Sequence, residues 1–345
     1  MKKNIILRQL FFIGFFLYIS AFMTSCLMEY PEKTENGEVG IDPTFVTLTT
    51  KVMIDLKSSG SEDIELNSRV DEKVYRHRIV VAAYEGRELR TQETVYEDKP
   101  LTNRLQTEVS LKLHARKYTI VVWADYFCDE ENPIYNLNTP EGLLAIKGSD
   151  SYLGNTEYKK VYSSSEDVDL TDYKNKWGSE IHMEMKVESP MVRYELIATD
   201  VKKFLDNNPK VNSIKLTLNY DDYIPTGFNA LDGITKHAFR NQSFTSTIKR
   251  PESGITELPL IFDYLFVDSS SSRSDGITIT PVTLKVEDVT NANNPVELAS
   301  SSFNLVLGNS ECERITFDFL TTKPGDGVGI DSDFGGNKEV EVPVE

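Results

Sequence analysis

Side chains able to serve as nucleophiles, general bases or metal ligands are scattered in this chain. The four histidines, His77, His114, His182 and His237, stand far apart. None lies two to five residues from another His or a Cys, the spacing that structural zinc sites use. Neither a G-x-S-x-G elbow nor a phosphate-binding G-x-x-x-x-G-K-[ST] loop occurs. Acids are so abundant that neighbours such as Glu130 and Glu131, or Asp221 and Asp222, single nothing out, and a glycosidase pair is defined by separation in space, not along the chain. Asp326, Asp331 and Asp333 lie among glycines but lack the order and closing glutamate of an EF-hand, so they read as a solvated tail. The expectation is a non-enzymatic protein with no catalytic residue, no metal and no cofactor.

One cysteine does stand in a setting that specifies a reaction. Lys2, Lys3 and Arg8 form a basic head, Leu10 to Met23 (LFFIGFFLYISAFM) carries no charge, and Thr24 and Ser25 lead to Cys26. Basic head, apolar run and small residues are the parts of an export signal, and the run is shorter than the roughly 20 apolar residues of a membrane-spanning helix. A cysteine directly after the small residues resembles a bacterial lipoprotein box, with Met23 where leucine is commoner. There the thiol is acylated and the cysteine becomes the new N-terminus. Residues 1–25 are therefore read as a lipoprotein signal peptide and Cys26 as the lipidation site, with palmitate or a similar chain on the sulfur. An ordinary signal with an incidental cysteine, or an uncleaved anchor, is the alternative. Several acyl chains make such anchoring stable where one alone is marginal.

The formal net charge is −17, and the leader contributes only cations. A chain this acidic lacks the basic face that nucleic acid requires and is not drawn to anionic lipid, so no nucleic acid partner is expected. Hydrophobic residues make up 39%, enough for packed cores, and the length suggests two domains. Cys128 and Cys312 read as free thiols, a bridge between them being the alternative in an exported protein.

Elements must position whatever the surface presents, and they read as strands. Residues 26–43 form a tether broken by Gly37, Gly40 and Pro43 and solvated by Glu29, Glu32, Glu35 and Glu38. Phe45 to Leu56 (FVTLTTKVMIDL) alternates with period two, as a half-buried strand does. Tyr75 to Tyr84, Arg90 to Tyr96 and Leu105 to Leu113 follow. Tyr118 to Tyr126 (YTIVVWADY) is nearly all apolar, which suits a strand covered on both faces; Trp123 is expected to fill the core between two sheets. Cys128 to Lys176 reads as a long elaborated loop, with Ser163 to Ser165 a polar break. The second half offers Ile181 to Val187, Met191 to Ala198, a short helix over Asp200 to Asn207, and strands at Val211 to Tyr220, Phe244 to Ile248, Thr256 to Val267, Ile277 to Val289, Val296 to Leu307 and Glu313 to Phe319. Tyr223 to Asn229 reads as a turn-rich excursion. The expected class is all-β: two tandem Greek-key β-sandwich domains, residues 44–177 and 178–323, before a glycine-rich acidic tail over 324–345.

Several of these segments, taken in order, resemble a known family. They are Tyr118 to Tyr126, Tyr152 to Tyr158 (YLGNTEY), Met191 to Asp200 (MVRYELIATD), Tyr220 through Pro225 to Asn229 (PTGFN), and Gly327 to Gly335 (GVGIDSDFG). The set is similar to the fimbrillin-like lipoproteins of the Bacteroides group, of FimA and Mfa type, including related domains of unknown function. That resemblance implies transthyretin-like sandwiches, a lipid-anchored place on the cell outer membrane, surface exposure, and a structural, anchor or accessory role in fimbriae or pili and cell adhesion. It also implies assembly by strand addition, in which one subunit's strand fills a groove in the next. The groove opens when an N-terminal strand is cut away after a basic residue. Here the strand would be Phe45 to Leu56, with Lys57, Arg69 and Lys73 as candidate cut sites; anchor or accessory subunits keep lipid and strand. The terminal EVEVPV (Glu339 to Val344) alternates as a donor strand would, and Pro343 weakens its end. A second reading is a carbohydrate- or host-ligand-binding surface lipoprotein, with Tyr135, Tyr152, Tyr158 and Trp177 as stacking candidates; packing inside the long loop is the other use for these rings.

Overall fold

Alternation in the sequence becomes strands with one buried face. The computed structural model describes residues 45–56, 74–98, 103–128, 133–139, 141–149, 151–174, 176, 178–267, 278–308 and 311–323. The first strand, β1 (Phe45–Asp55), buries Val46, Leu48, Thr50, Val52 and Ile54 and leaves the intervening side chains partly open. It is followed by β2 (Arg76–Glu85), β3 (Glu88–Glu97), β4 (Arg104–His114) and β5 (Lys117–Phe127). β2 and β3 meet at a two-residue turn where Gly86 takes φ +64°, a conformation that costs glycine little. The segment read as a long loop instead supplies β6 (Tyr135–Asn136), β7 (Ile146–Gly148) and β8 (Tyr162–Asp169) before β9 (Glu180–Val187). The three serines expected to break the chain lie within β8.

The second half comprises β10 (Met191–Ala198), the helix α1 (Val201–Asn207), β11 (Ser213–Tyr220), β12 (Ile224–Asn229), β13 (Ile234–Phe239), β14 (Ser243–Lys249), β15 (Leu258–Phe266), β16 (Thr278–Asp288), β17 (Val296–Leu307) and β18 (Cys312–Phe317). The excursion over 223–229 is thus strand, paired as a hairpin with β13.

Sheet order shows one topology used twice. The first sandwich packs sheet β4-β1-β9 on sheet β3-β2-β5-β8, and the second packs β15-β10-β18 on β14-β11-β16-β17. In both, the opening strand is central to a three-stranded sheet, antiparallel to one neighbour and parallel to the closing strand. The expected all-β, two-sandwich class is what the chain adopts. One core fills the first sandwich, with Leu48, Ile79, Leu111 and Val122 among its members. Another fills the second, where Leu196, Leu216, Leu260 and Leu284 meet. Strand 180–187, expected at the head of the second domain, instead pairs in parallel with β1 and adds Met185 and Val187 to the first core. Local alternation does not reveal a parallel partner more than a hundred residues upstream.

A third core joins the two sandwiches. β6–β7 is inserted in the first and β12–β13 in the second, and they pair with each other as sheet β13-β12-β7-β6. Between the insertions and the flanking sheets lie Val80, Tyr84, Trp123, Phe228, Phe262 and Phe266. Trp123 therefore sits on the outer side of β5, in this junction and not in the sandwich interior as expected; β5 is covered on both faces because the junction covers its second one.

Gly227 allows the junction strands to approach. A Cβ there would lie 2.4 Å from the Ile146 carbonyl oxygen and 2.8 Å from that of Lys236, both backbone atoms. Gly227→Ala is expected to cost about 1–3 kcal/mol, as overpacking does. Urea unfolding should record the loss, with faster hydrogen exchange around residues 146–148; unchanged stability would contradict the close approach.

Candidate functional site

The first described strand, β1, is the central strand of its sheet. β1 is held on one side by β4 over its full length, from Phe45 opposite His114 to Asp55 opposite Arg104. On the other side β9 runs parallel, from Thr47 opposite Glu180 to Ile54 opposite Val187. Its inner face inserts four aliphatic side chains at 2% exposure or less. Each is worth roughly 1.5–3 kcal/mol of burial, so the strand contributes about as much as the 5–15 kcal/mol by which a whole domain is stable. The outer face is polar and fixed by register: Thr49 Oγ1 and Ser110 Oγ lie 2.8 Å apart, and Lys51 Nζ donates to Glu184 Oε1 at 2.8 Å. Thr50 is the exception within, because its Oγ1 is buried without a hydrogen-bond partner among the described residues. Without β1 the sandwich would present a groove with two unpaired backbone edges and five empty side-chain positions, the arrangement that strand addition requires.

β10, the equivalent strand of the second sandwich, is buried on both faces. Residues 151–161, reaching over from the first sandwich, cover its outer side with a charged network. Arg193 and Glu195 on β10 are fully buried. Arg193 Nε donates to Glu195 Oε1 at 2.9 Å, its Nη1 reaches both Glu157 and the Tyr264 hydroxyl, and its guanidinium lies 3.8 Å over the Phe262 ring. Beside it Lys159 Nζ donates to both Asp263 oxygens, at 2.8 and 2.9 Å, and Tyr220 donates to Asp263 Oδ2 at 2.7 Å. Burial pulls the Lys159 ammonium down, against the Asp263 carboxylate that holds it up. Asn155 caps the edge of β15, its N–H donating to the Phe262 carbonyl at 3.0 Å. The network is an interdomain clasp.

The residues singled out in the sequence fall into three groups. Cys26, Lys57, Arg69, Lys73 and Trp177 lie outside the described residues, as do the tether and the C-terminal tail. Tyr135, Tyr152 and Tyr158 are described, and they pack instead of standing open. Tyr135 is 2% exposed and donates its hydroxyl to the Lys159 carbonyl at 2.7 Å. Tyr152 donates to Asp263 Oδ2 and receives a bond from Lys159. Tyr158 stacks on Tyr75 with centroids 3.8 Å apart. Tyr135 is thus buried, and Tyr152 and Tyr158 are half-buried against protein neighbours. Cys128 and Cys312 are both free thiols, and burial, with Glu195 nearby, pushes the Cys312 thiol up to about 12.

A family model matches residues 33–343, spanning both sandwiches and the junction. The chain belongs to DUF6562, a family of unknown function. No curated protein matches this DUF6562 chain. Solved structures similar to it include a candidate adhesin from Bacteroides ovatus, 11% identical, TM-score 0.41, with 86% of this chain and 94% of that one covered. A candidate cell adhesion protein from Bacteroides eggerthii is 12% identical, TM-score 0.42, with coverage of 85% and 94%. The fimbrial anchor protein Mfa2 from Porphyromonas gingivalis is 14% identical, TM-score 0.38, with coverage of 74% and 82%.

Proposed function

We propose that this DUF6562 protein is a non-enzymatic lipoprotein of the cell surface, anchored in the outer membrane through lipid at Cys26, that serves as an anchor, accessory or structural subunit of fimbriae. The observation that carries the reading is the position of β1. The strand directly after the leader and tether is the central strand of its sheet, and a second subunit's strand of the same alternation would satisfy the same backbone edges and side-chain sites. The acidic surface suits a solvated ectodomain. Partners are then other pilus subunits, met by strand addition, and the lipid of the membrane.

Two states of the chain are consistent with this role. An anchor retains the acylated Cys26 and keeps β1 in its groove; a polymerising subunit loses both by cleavage after Lys57, Arg69 or Lys73. The N-terminal mass of the protein recovered from cells tests the reading. A diacyl- or triacyl-cysteine at position 26 identifies the anchored form, and a start directly after one of the three basic residues identifies the processed one. Neither start, together with absence of the chain from purified surface filaments, would remove the proposal.

A further inference from the structure

The junction covers β2 and β5 of the first sandwich but leaves the same face of the edge strand β3 open. There β6 and the residues around it overhang a cleft of about 320 Å³, near the lower end of small-ligand sites, which begin at roughly 300 Å³. Gln92, Thr94 and Tyr96, alternate residues of β3, line it from one side, and Asn136 and Asn138 from the other. By contrast, the cavity beside Tyr152 and Lys159 at the junction is about 30 Å³, room for a single water.

Chemistry in the cleft is that of a neutral, polyhydroxylated ligand. Tyr96 is 38% exposed, and its ring is steadied by Phe127, with centroids 5.4 Å apart, and by the Arg76 guanidinium at 5.9 Å. Such a ring gives an apolar face to the C–H side of a sugar. The side chains of Gln92, Thr94 and Asn138 make no hydrogen bond among the described residues, and Asn136 uses only its Oδ1, accepting from the Asn138 N–H at 2.9 Å. Amides offer a donor and an acceptor side by side, which matches vicinal hydroxyls. Arg78, 8% exposed, completes the floor. Its Nε donates to Asp125 Oδ1 at 2.9 Å, its Nη2 bonds the other carboxylate oxygen and the Tyr135 carbonyl, and Phe127 lies 4.8 Å beneath the guanidinium. Nη1 makes no hydrogen bond among the described residues and remains available to a ligand. Asp125 neutralises this charge and no acid lines the cleft among the described residues, so neither an anion nor a cation is favoured, and the polar walls disfavour a purely apolar guest.

We infer that this cleft binds a neutral pyranose unit of a glycan, with its C–H face on Tyr96 and its hydroxyls on Gln92, Asn136, Asn138 and Arg78. The site goes beyond the fimbrial reading and does not depend on the fate of β1, so the two experiments fail independently. The test is saturation-transfer NMR on the full chain with the methyl pyranosides of glucose, mannose, galactose and N-acetylglucosamine at millimolar concentration. At least one should receive saturation at its ring C–H protons. Tyr96→Ala should weaken that glycoside about tenfold or more, whereas Tyr223→Ala, at an exposed tyrosine of the second sandwich, should leave it unchanged. Gln92→Ala, at an exposed position, gives a weaker loss and carries the test should Tyr96→Ala fail to fold. Absence of saturation in all four glycosides, or full transfer retained in the β3 variants, overturns the inference.

Discussion

Asp263→Ala is expected to destabilise the protein by about 3–5 kcal/mol, the usual cost of removing one partner of a buried ion pair, and to lower Tm by roughly 10 °C. Asp263 is fully buried and accepts from Lys159, from the Tyr152 and Tyr220 hydroxyls, and from the Tyr264 N–H at 2.8 Å. The alanine variant leaves an ammonium and two phenols without this acceptor in a largely buried place. Lys159→Met should cost less, because the carboxylate keeps three donors. Combining Lys159→Met with Asp263→Leu should recover part of the loss, since a buried pair is often replaceable by apolar groups of similar volume. Urea unfolding of the two single variants and the double variant measures this, and the coupling is read from the cycle. The clasp also ties residues 151–161 of the first sandwich to β15 of the second, so hydrogen exchange should quicken at Asn155 and Phe262. An Asp263→Ala variant within 1 kcal/mol of the parent, on the order of an exposed pair, would show that the clasp is not a stabilising contact.

Strands that alternate were legible because burial on one face leaves a period of two in the residue types. β1, β4, β11 and β16 carry that signature, and the helix α1 showed its apolar residues at helical spacing. β8 was not legible. Its sequence YSSSEDVD exposes half of its residues on a sheet edge, so no apolar face marks it. The junction strands were missed for a different reason. β6 and β7 are two and three residues long; β7 is a strand by pairing with β12 of the other sandwich, and β6 by pairing with β7. The clasp did leave a signal that went unread. Asp263 interrupts the apolar run LIFDYLF, and Arg193 and Glu195 interrupt MVRYELIA; charges inside otherwise buried strands are almost always paired. Tyr135 and Tyr158 pack at the junction and Tyr152 against the core of the second sandwich, while the open ring of the cleft is Tyr96, on a strand that reads as a charged edge.

Raising the pH should unfold the protein steeply between about pH 10 and 12. Tyr135, Tyr152, Tyr194, Tyr220 and Tyr264 are all held well above the ordinary phenol value of 10.0, and Tyr162 is raised as well. Burial is the leading cause for each; Asp263 adds its charge at Tyr152, Tyr194 and Tyr220, and Glu157 adds its own at Tyr264. These groups keep their protons in the fold and lose them at about 10 in the unfolded chain. Their contribution is therefore intact below pH 10 and lost as pH rises above it. Six such phenols each remove about 1.4 kcal/mol per pH unit once titrating, roughly 8 kcal/mol together, against a total stability of about 5–15 kcal/mol. The Cys312 thiol, at about 12, acts with the same sign. Lys159 and Lys160 act oppositely, since burial lowers both and their lowered values favour folding as the pH rises toward 10.5, but they are two groups against these seven. Phenolate absorbance should then rise in a cooperative step that coincides with loss of the β circular dichroism signal. A smooth ionisation of all sixteen tyrosines with the dichroism intact would mean that these hydroxyls are open to water and that the cores holding them are not packed in solution.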